Sequence, residues 1–143
     1  MVKKKLTVED ALVPKEEIPY EVPENWLSVK LTSIFKFEKG KKPKLLLDEF
    51  EENTIPYVTI NYFQTKEAKQ YTYETETNRI CADDDILIVW DGARAGLVGM
   101  GVSGALGSTL CKIKFKGLNH KFVYYYFVGK YDEINKNTKG TGI

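Results

Sequence analysis

The chain has 143 residues, of which 43% are hydrophobic and 13% aromatic, and its formal net charge is +1. This length and composition are typical of one folded domain with a buried core, and they exclude a disordered chain. No apolar run reaches the roughly 20 residues that a membrane-spanning helix needs, and the charged first twelve residues show no secretory signal. We therefore expect a cytoplasmic protein with no membrane partner.

The near-neutral total hides a strong segregation of charge along the chain. Residues 36–44 carry five lysines and one glutamate, and residues 112–143 carry seven lysines and two acids. Residues 45–111 carry eleven acids and only four bases. The two lysine-rich segments can therefore form local basic patches that meet phosphate groups. A solvated surface with no such role is the alternative interpretation of the same lysines.

The N-terminal part is predicted to be an arm that leads into a compact domain. Three prolines in residues 1–25 interrupt regular structure and favour an extended backbone. Trp26 is predicted to anchor the domain, which covers residues 26–143. Within residues 27–35, apolar side chains recur at helical spacing and predict a short amphipathic helix. A strand follows and stops at Gly40.

Four later segments are predicted to be strands because they are apolar or alternate between apolar and polar residues. A polar segment between the first two has weak periodicity and fits either one exposed strand or a long loop. The four predicted strands are residues 55–60, 86–90, 96–102 and 110–115, and the polar segment is residues 64–79.

Residues 120–135 are predicted to form a C-terminal helix, because large apolar side chains recur on one helical face. Asn119 is placed to cap the start of this helix. The order of the elements predicts an α+β fold. We expect a mixed, mostly antiparallel twisted β-sheet with a short N-terminal helix and a C-terminal aromatic helix.

The most informative segment is residues 87–99, where a buried-type apolar run ends in a small glycine-rich loop that carries Asp91 and Arg94. Glycine has no side chain, so the backbone of such a loop can come close to a partner. The strand behind the loop determines its direction. The segment therefore predicts a binding surface.

Patterns for covalent chemistry are weak in this chain. Residues 99–104 match G-x-G-x-x-G formally, but the following residues do not predict the helix that a dinucleotide site needs. A lone histidine such as His120 is more often structural than catalytic. One histidine and two distant cysteines make no credible zinc site. We assign no catalytic and no metal-binding residues, and a hydrolase or nuclease built on residues 83–85 and His120 is a third-ranked alternative.

The two cysteines are expected to be buried free thiols. Cys81 and Cys111 lie far apart in sequence, in or beside predicted strands. Free thiols fit a reducing cytoplasm, and a disulfide between them is the alternative.

Several polar side chains suit contacts with nucleic acid. Lysine is a point charge suited to phosphate, whereas asparagine and glutamine can pair with adenine and arginine with guanine. Tyr62 can either pack in the core or stack at an interface. The predicted phosphate-binding residues are Lys39, Lys41, Lys42, Lys44, Lys139 and Thr141. The predicted base-reading residues are Asn61, Tyr62, Gln64 and Arg94.

Taken in chain order, these segments resemble the target recognition domain of Type I restriction–modification specificity subunits. The resemblance covers residues 26–143. Its motifs are Trp26-x-x-Val29-x-Leu31, Gly40-x-x-Pro43, Ile55-Pro56-Tyr57-Val58, Trp90-Asp91-Gly92-Ala93-x-Ala95-Gly96, Gly107-Ser108-Thr109, the aromatic helix from Phe122 to Phe127, and Lys139-Gly140-Thr141-Gly142-Ile143.

The resemblance implies a non-catalytic reader of double-stranded DNA. It implies methyltransferase subunits that use S-adenosylmethionine to methylate adenine, and a motor–nuclease subunit for cleavage, so no cofactor is expected in this chain. A complete subunit of this kind has two such domains separated by long helices. We expect the domain here to be incomplete at its C-terminus, without the helical spacer. A truncated module that binds methyltransferase subunits without reading DNA is the alternative function.

Overall fold

A computed structural model describes residue 5 and residues 7–138. The chain forms two compact units. The first unit extends to Lys36 and the second begins at Phe37. The helical segments of the first unit are α1 (Val8–Ala11), a 3₁₀ turn (Lys15–Glu17) and α2 (Leu31–Ile34).

The first unit departs in part from the extended arm that was predicted. Thr7 and Asp10 form a reciprocal capping box that starts α1, and an antiparallel bridge pairs Leu12 with Val29. The predicted helix over residues 27–35 exists only as the four residues of α2. Trp26 is 65% exposed, and its predicted role as an anchor stays a prediction. The predicted domain start at residue 26 stays a prediction.

The described chain contains eight strands in two four-stranded sheets, with the orders β1-β8-β5-β6 and β3-β2-β7-β4. Strand β5 is antiparallel to β6 and β8, and β2 is antiparallel to β3 but parallel to β7. The predicted α+β class with mixed, mostly antiparallel pairing is therefore confirmed, with two sheets in place of one. The strands are β1 (Lys36–Lys39), β2 (Thr54–Val58), β3 (Tyr71–Tyr73), β4 (Ile80–Cys81), β5 (Ile86–Val89), β6 (Val98–Gly99), β7 (Gly104–Leu106) and β8 (Leu110–Lys114).

Three helices of the second unit are α3 (Ile60–Thr65), α4 (His120–Gly129) and α5 (Tyr131–Thr138). The predicted C-terminal helix is thus two helices, which separate at Lys130. Asn119 caps α4 as predicted, since its side-chain oxygen accepts the N–H of Phe122 at 3.0 Å. Among the described residues, no helix has both the length and the apolar character needed to cross a membrane.

The core of the second unit forms around β5, whose four residues are all buried. Strand β5 lies between β8 and β6, so neighbouring strands satisfy its backbone on both sides. The buried cluster includes residues from both sheets and from α3: Val58, Phe63, Cys81, Leu87, Val89, Val102, Leu106 and Leu110.

Both cysteines are buried free thiols, as predicted. Burial is the largest cause that raises the pKa of Cys81 to about 11 and that of Cys111 to about 12. The thiols are therefore protonated at neutral pH, which makes them unreactive side chains of the core.

Candidate functional site

The glycine-rich loop, residues 91–96, is a rigid surface loop at the end of β5. The N–H of Gly96 donates to the Val89 carbonyl at 2.8 Å. From α5, the Asn135 amide donates to the carbonyl oxygens of two loop alanines at 2.9 and 3.1 Å. Gly96 has a φ of +94°, and a Cβ there would lie 2.9 Å from Ile134. The loop therefore requires glycine at this position, because both the backbone conformation and the packing exclude a larger residue.

The structure brings two of the predicted base-reading residues into contact. Arg94, at the exposed tip of the glycine-rich loop, donates from its Nη1 to the Oε1 of Gln64. Gln64 lies on α3, whose first turn is capped by the Thr59 hydroxyl accepting the N–H of Tyr62 at 3.2 Å. The buried ring of Phe63 fixes α3 to the core. Two anchored elements thus place an arginine and a glutamine side by side at the surface.

The other two predicted base-reading residues differ in their environment. Asn61 is exposed on α3, one turn before Gln64. Tyr62 is half-buried and packs against the core cluster. Burial is the main cause that raises the pKa of Tyr62, and nearby Asp83 raises it further. Asn61 therefore shares the open side of α3 with Gln64, whereas the Tyr62 side chain mainly packs against the core. Base contacts by Asn61 and by Tyr62 stay predictions.

Three predicted phosphate-binding lysines line one cleft, which we call the basic cleft. Its lining consists of residues 41–44, with Lys41, Lys42 and Lys44, and of residues 75–78, around a volume of about 290 Å³. The N–H of Lys41 donates to the Leu106 carbonyl at 3.0 Å and holds the basic segment against the end of β7. The cleft is therefore a built feature of the fold, with its lysine side chains exposed.

The charge of the basic cleft is largely uncompensated. Within residues 7–138, none of the three lysine ammonium groups has a carboxylate oxygen within 4.0 Å. The lining contains a single acidic residue, Glu76, among the residues that the structure places there. By contrast, Lys112 and Lys114 on β8 are both paired with Glu38. The cleft thus concentrates positive charge that an anion can neutralise.

Lys39 is the predicted phosphate-binding residue that already has a partner. Its ammonium lies 2.7 Å from the Asp91 carboxylate, and the two side chains are 49% and 41% exposed. This ion pair joins the end of β1 to the glycine-rich loop. Lys41, where the basic cleft begins, is two residues after Lys39 in the chain. The ion pair thus connects Lys39 to the loop that carries Arg94.

Some site residues fall outside these predictions or outside the described structure. Lys139 and Thr141 lie outside the described residues. Residues 75–78 were not predicted to line a cleft, since the polar segment 64–79 has no pattern that distinguishes a wall from a loop. Asn135 was also missed, because an asparagine inside a helix carries no sequence signal for the loop that it binds.

Features of the alternative catalytic interpretation have structural roles. The Nε2 atom of His120 lies 2.6 Å from the Asp84 carbonyl, and the Asp85 carboxylate accepts the Ala82 N–H at 2.8 Å. In the described part of the chain, no three His, Cys, Asp or Glu side chains are arranged to hold a metal ion. The G-x-G-x-x-G match leads into strand β7 and not into a helix, as the sequence predicted.

Comparisons with known proteins match most of the chain. The model of the family described as Type I restriction modification DNA specificity domain matches residues 23–143. The chain is 34% identical over 131 residues to the Type I restriction enzyme MjaVIII specificity subunit of Methanocaldococcus jannaschii. That alignment covers 90% of this chain and 31% of the relative.

Solved structures share the fold. The HsdS subunit from Thermoanaerobacter tengcongensis superposes with a TM-score of 0.67 and 18% identity, over 84% of this chain and 31% of that chain. A chain from a structure on complex assembly and conformational transition of the type I R-M system gives a TM-score of 0.68 and 18% identity, over 85% and 32%. The chain thus spans about a third of the length of these relatives.

Proposed function

The chain belongs to the family of Type I restriction modification DNA specificity domains, and from this premise we propose that it recognises a specific sequence of double-stranded DNA within a Type I restriction–modification system. The recognition would direct adenine methylation and cleavage by partner subunits. In this proposal the chain is a non-catalytic component that works in the cytoplasm. Methyltransferase subunits would supply S-adenosylmethionine, and a motor–nuclease subunit would supply cleavage.

The observation that carries this proposal is the basic cleft. Three lysines line the cleft, and none of them has a carboxylate partner in the part of the chain that the structure describes. Duplex DNA offers closely spaced phosphates that release counterions when lysines neutralise them. Phosphate contacts position a protein on the duplex, and contacts to base edges specify the sequence. The surface pair of Gln64 and Arg94 supplies side chains that can contact base edges.

The dependence of duplex binding on salt tests the phosphate role. We expect the logarithm of the binding constant to fall linearly with the logarithm of salt concentration, by about 0.9 for each phosphate contact. Replacing Lys42 with Ala should weaken binding to all sequences alike and make the slope shallower by about 1. Lys114→Ala is the matched control, because Glu38 already neutralises Lys114 at 3.2 Å. A flat salt titration, or equal effects of the two variants, would contradict the proposal.

A second candidate function is the binding of methyltransferase subunits without DNA reading. Its supporting observation is the outer face of α4, where Phe122 is 65% and Tyr125 67% exposed. Large exposed aromatic side chains close together are typical of protein interaction sites. Co-purification with methyltransferase subunits, with and without duplex DNA, separates the two functions. Capture that Phe122→Ser abolishes, from a chain that binds no duplex, would favour this second function.

A further inference from the structure

We propose that Gln64 and Arg94 act as one unit that reads a guanine, in which Gln64 holds the Arg94 guanidinium for a paired contact with guanine N7 and O6. This inference rests on the proposed function and deepens it, because it names the base and separates the roles of the two residues. Arg94 would touch the base, and Gln64 would be a positioning residue.

The contact between the two side chains has one chemical interpretation. Arginine has only N–H donors, so the atom of Gln64 that it meets must be the carbonyl oxygen. The Gln64 amide is neutral, so it does not compensate the positive charge of the Arg94 guanidinium. Within residues 7–138, Arg94 has no carboxylate within 4.0 Å. One of its five N–H groups is used by Gln64, and the rest can donate to a ligand.

The backbones of both residues are held in place from the protein side. The Arg94 carbonyl accepts the Leu97 N–H at 3.0 Å, and Asn135 binds the carbonyls on either side of Arg94. On α3, the ring of Phe63 beside Gln64 is 5% exposed and packs against Gly99. The pair is therefore preorganised, which reduces the entropy lost when the arginine binds a base.

The same contact favours guanine as the base that the unit reads. A glutamine that reads adenine must accept from adenine N6 with its carbonyl oxygen and donate to N7 with its amide. In this structure the carbonyl oxygen of Gln64 accepts from Arg94, so the arginine takes one of its two lone pairs and directs the amide toward itself. Arginine, with parallel donors, matches the two acceptors N7 and O6 of guanine. We therefore assign guanine to Arg94, in line with its residue type, and a positioning role to Gln64.

The position of the unit fits the major groove. The open side of the six-residue helix α3 presents Asn61 and Gln64, and the rigid loop presents Arg94 next to them. The major groove is about 12 Å wide and admits a helix. Lys39 pairs with Asp91 of the loop and lies two residues before the first lysine of the basic cleft, so we expect the cleft lysines to meet phosphates beside the groove.

The test is selection of bound duplexes from a library with a randomised segment, using the full chain at one fixed salt concentration. We expect the wild type to enrich guanine at one position by about 5- to 150-fold over other bases. Replacement of that guanine by 7-deazaguanine, which lacks the N7 acceptor, should remove most of the preference. Arg94→Ala should abolish it at that position alone, whereas Arg79→Ala, which changes the other arginine of the chain, should preserve it.

Two substitutions at Gln64 separate positioning from mere stability. Gln64→Met keeps the size but removes the acceptor, so the guanine preference should fall like that of Arg94→Ala. Gln64→Glu restores an acceptor, so the preference should return although overall affinity falls because a negative charge is added. All variants should unfold at the same temperature as the wild type.

The outcomes distinguish this inference from the proposed function. If the wild type selects a sequence but Arg94→Ala or Gln64→Met selects the same one, the reading unit is wrong and DNA recognition stands. Selection of a base other than guanine at the Arg94-dependent position also overturns the unit. If the wild type enriches no sequence, both the unit and sequence-specific recognition are wrong.

Discussion

The close packing of Gly99 against Phe63 allows a sharp test of how α3 is held. A Cβ at Gly99 would lie 2.3 and 2.6 Å from two ring carbons of Phe63, whereas carbon atoms prefer separations of about 3.5–4.0 Å. The ring would have to move by about 1 Å, but it is only 5% exposed within the core cluster. We therefore expect Gly99→Ala to lower the free energy of unfolding by about 1–3 kcal/mol through overpacking.

Urea unfolding followed by circular dichroism measures this change as a shift of the midpoint at a constant slope. Gly129→Ala is the matched control, since among the described residues a Cβ there meets nothing within 4 Å outside its own helix and chain neighbours. It should be neutral or stabilising by up to about 1 kcal/mol. In the double variant Gly99→Ala/Phe63→Leu, the loss of unfolding free energy should be smaller than the sum of the two single losses, with a coupling of about 0.5–3 kcal/mol. Equal stabilities of Gly99→Ala and the wild type, or strictly additive changes, would refute the packing argument.

Three further predictions concern thiols, capping and the surface ion pair. Folding raises the pKa values of Cys81 and Cys111 from 9.0 to about 11 and about 12, so the thiols of the unfolded chain ionise first and the free energy of unfolding should fall as the pH rises above about 9. Urea unfolding at pH 8 and pH 10 should show a smaller loss of unfolding free energy in the Cys→Ala double variant than in the wild type. An equal loss in both would contradict this prediction. Asn119→Ala should destabilise by about 1 kcal/mol through loss of the α4 cap, whereas Asn119→Asp should not, as thermal unfolding can show. Asp91→Asn should change the free energy of unfolding by less than about 1 kcal/mol, because its ion pair with Lys39 is exposed. The substitution should also free Lys39 and steepen the slope of log binding constant against log salt concentration by up to about 0.9. An unchanged slope would mean that Lys39 meets no phosphate.

The elements that the sequence predicted well are those whose signals are local. Strand β8 follows its alternation of apolar and polar residues, and β5 follows its apolar run. The cap of α4 depends on one side chain three residues from its partner. Helix α3 was missed because its aromatic and β-branched residues continue the pattern of β2. The one local signal for the start of this helix was Thr59, whose hydroxyl accepts the N–H of Tyr62 as a cap.

The candidate site shows the same difference between features with local signals and features that depend on distant residues. Lysines and an arginine in glycine-bearing loops could be identified as candidates from residue type alone. Their partners could not, because Lys39 and Asp91 are 52 residues apart and Arg94 and Gln64 are 30 apart. Whether a lysine is available to an anion or already paired depends on such distant neighbours.

The sequence by itself determined the class of fold, the buried free thiols and the family, because periodicity, burial preference and ordered motifs lie in the order of residues. Only the tertiary structure decided that the strands form two sheets, that three lysines share a cleft and that Gln64 holds Arg94. These features arise where segments distant in sequence meet, and the physical reason is that such contacts depend on packing of the whole second unit and not on any local preference.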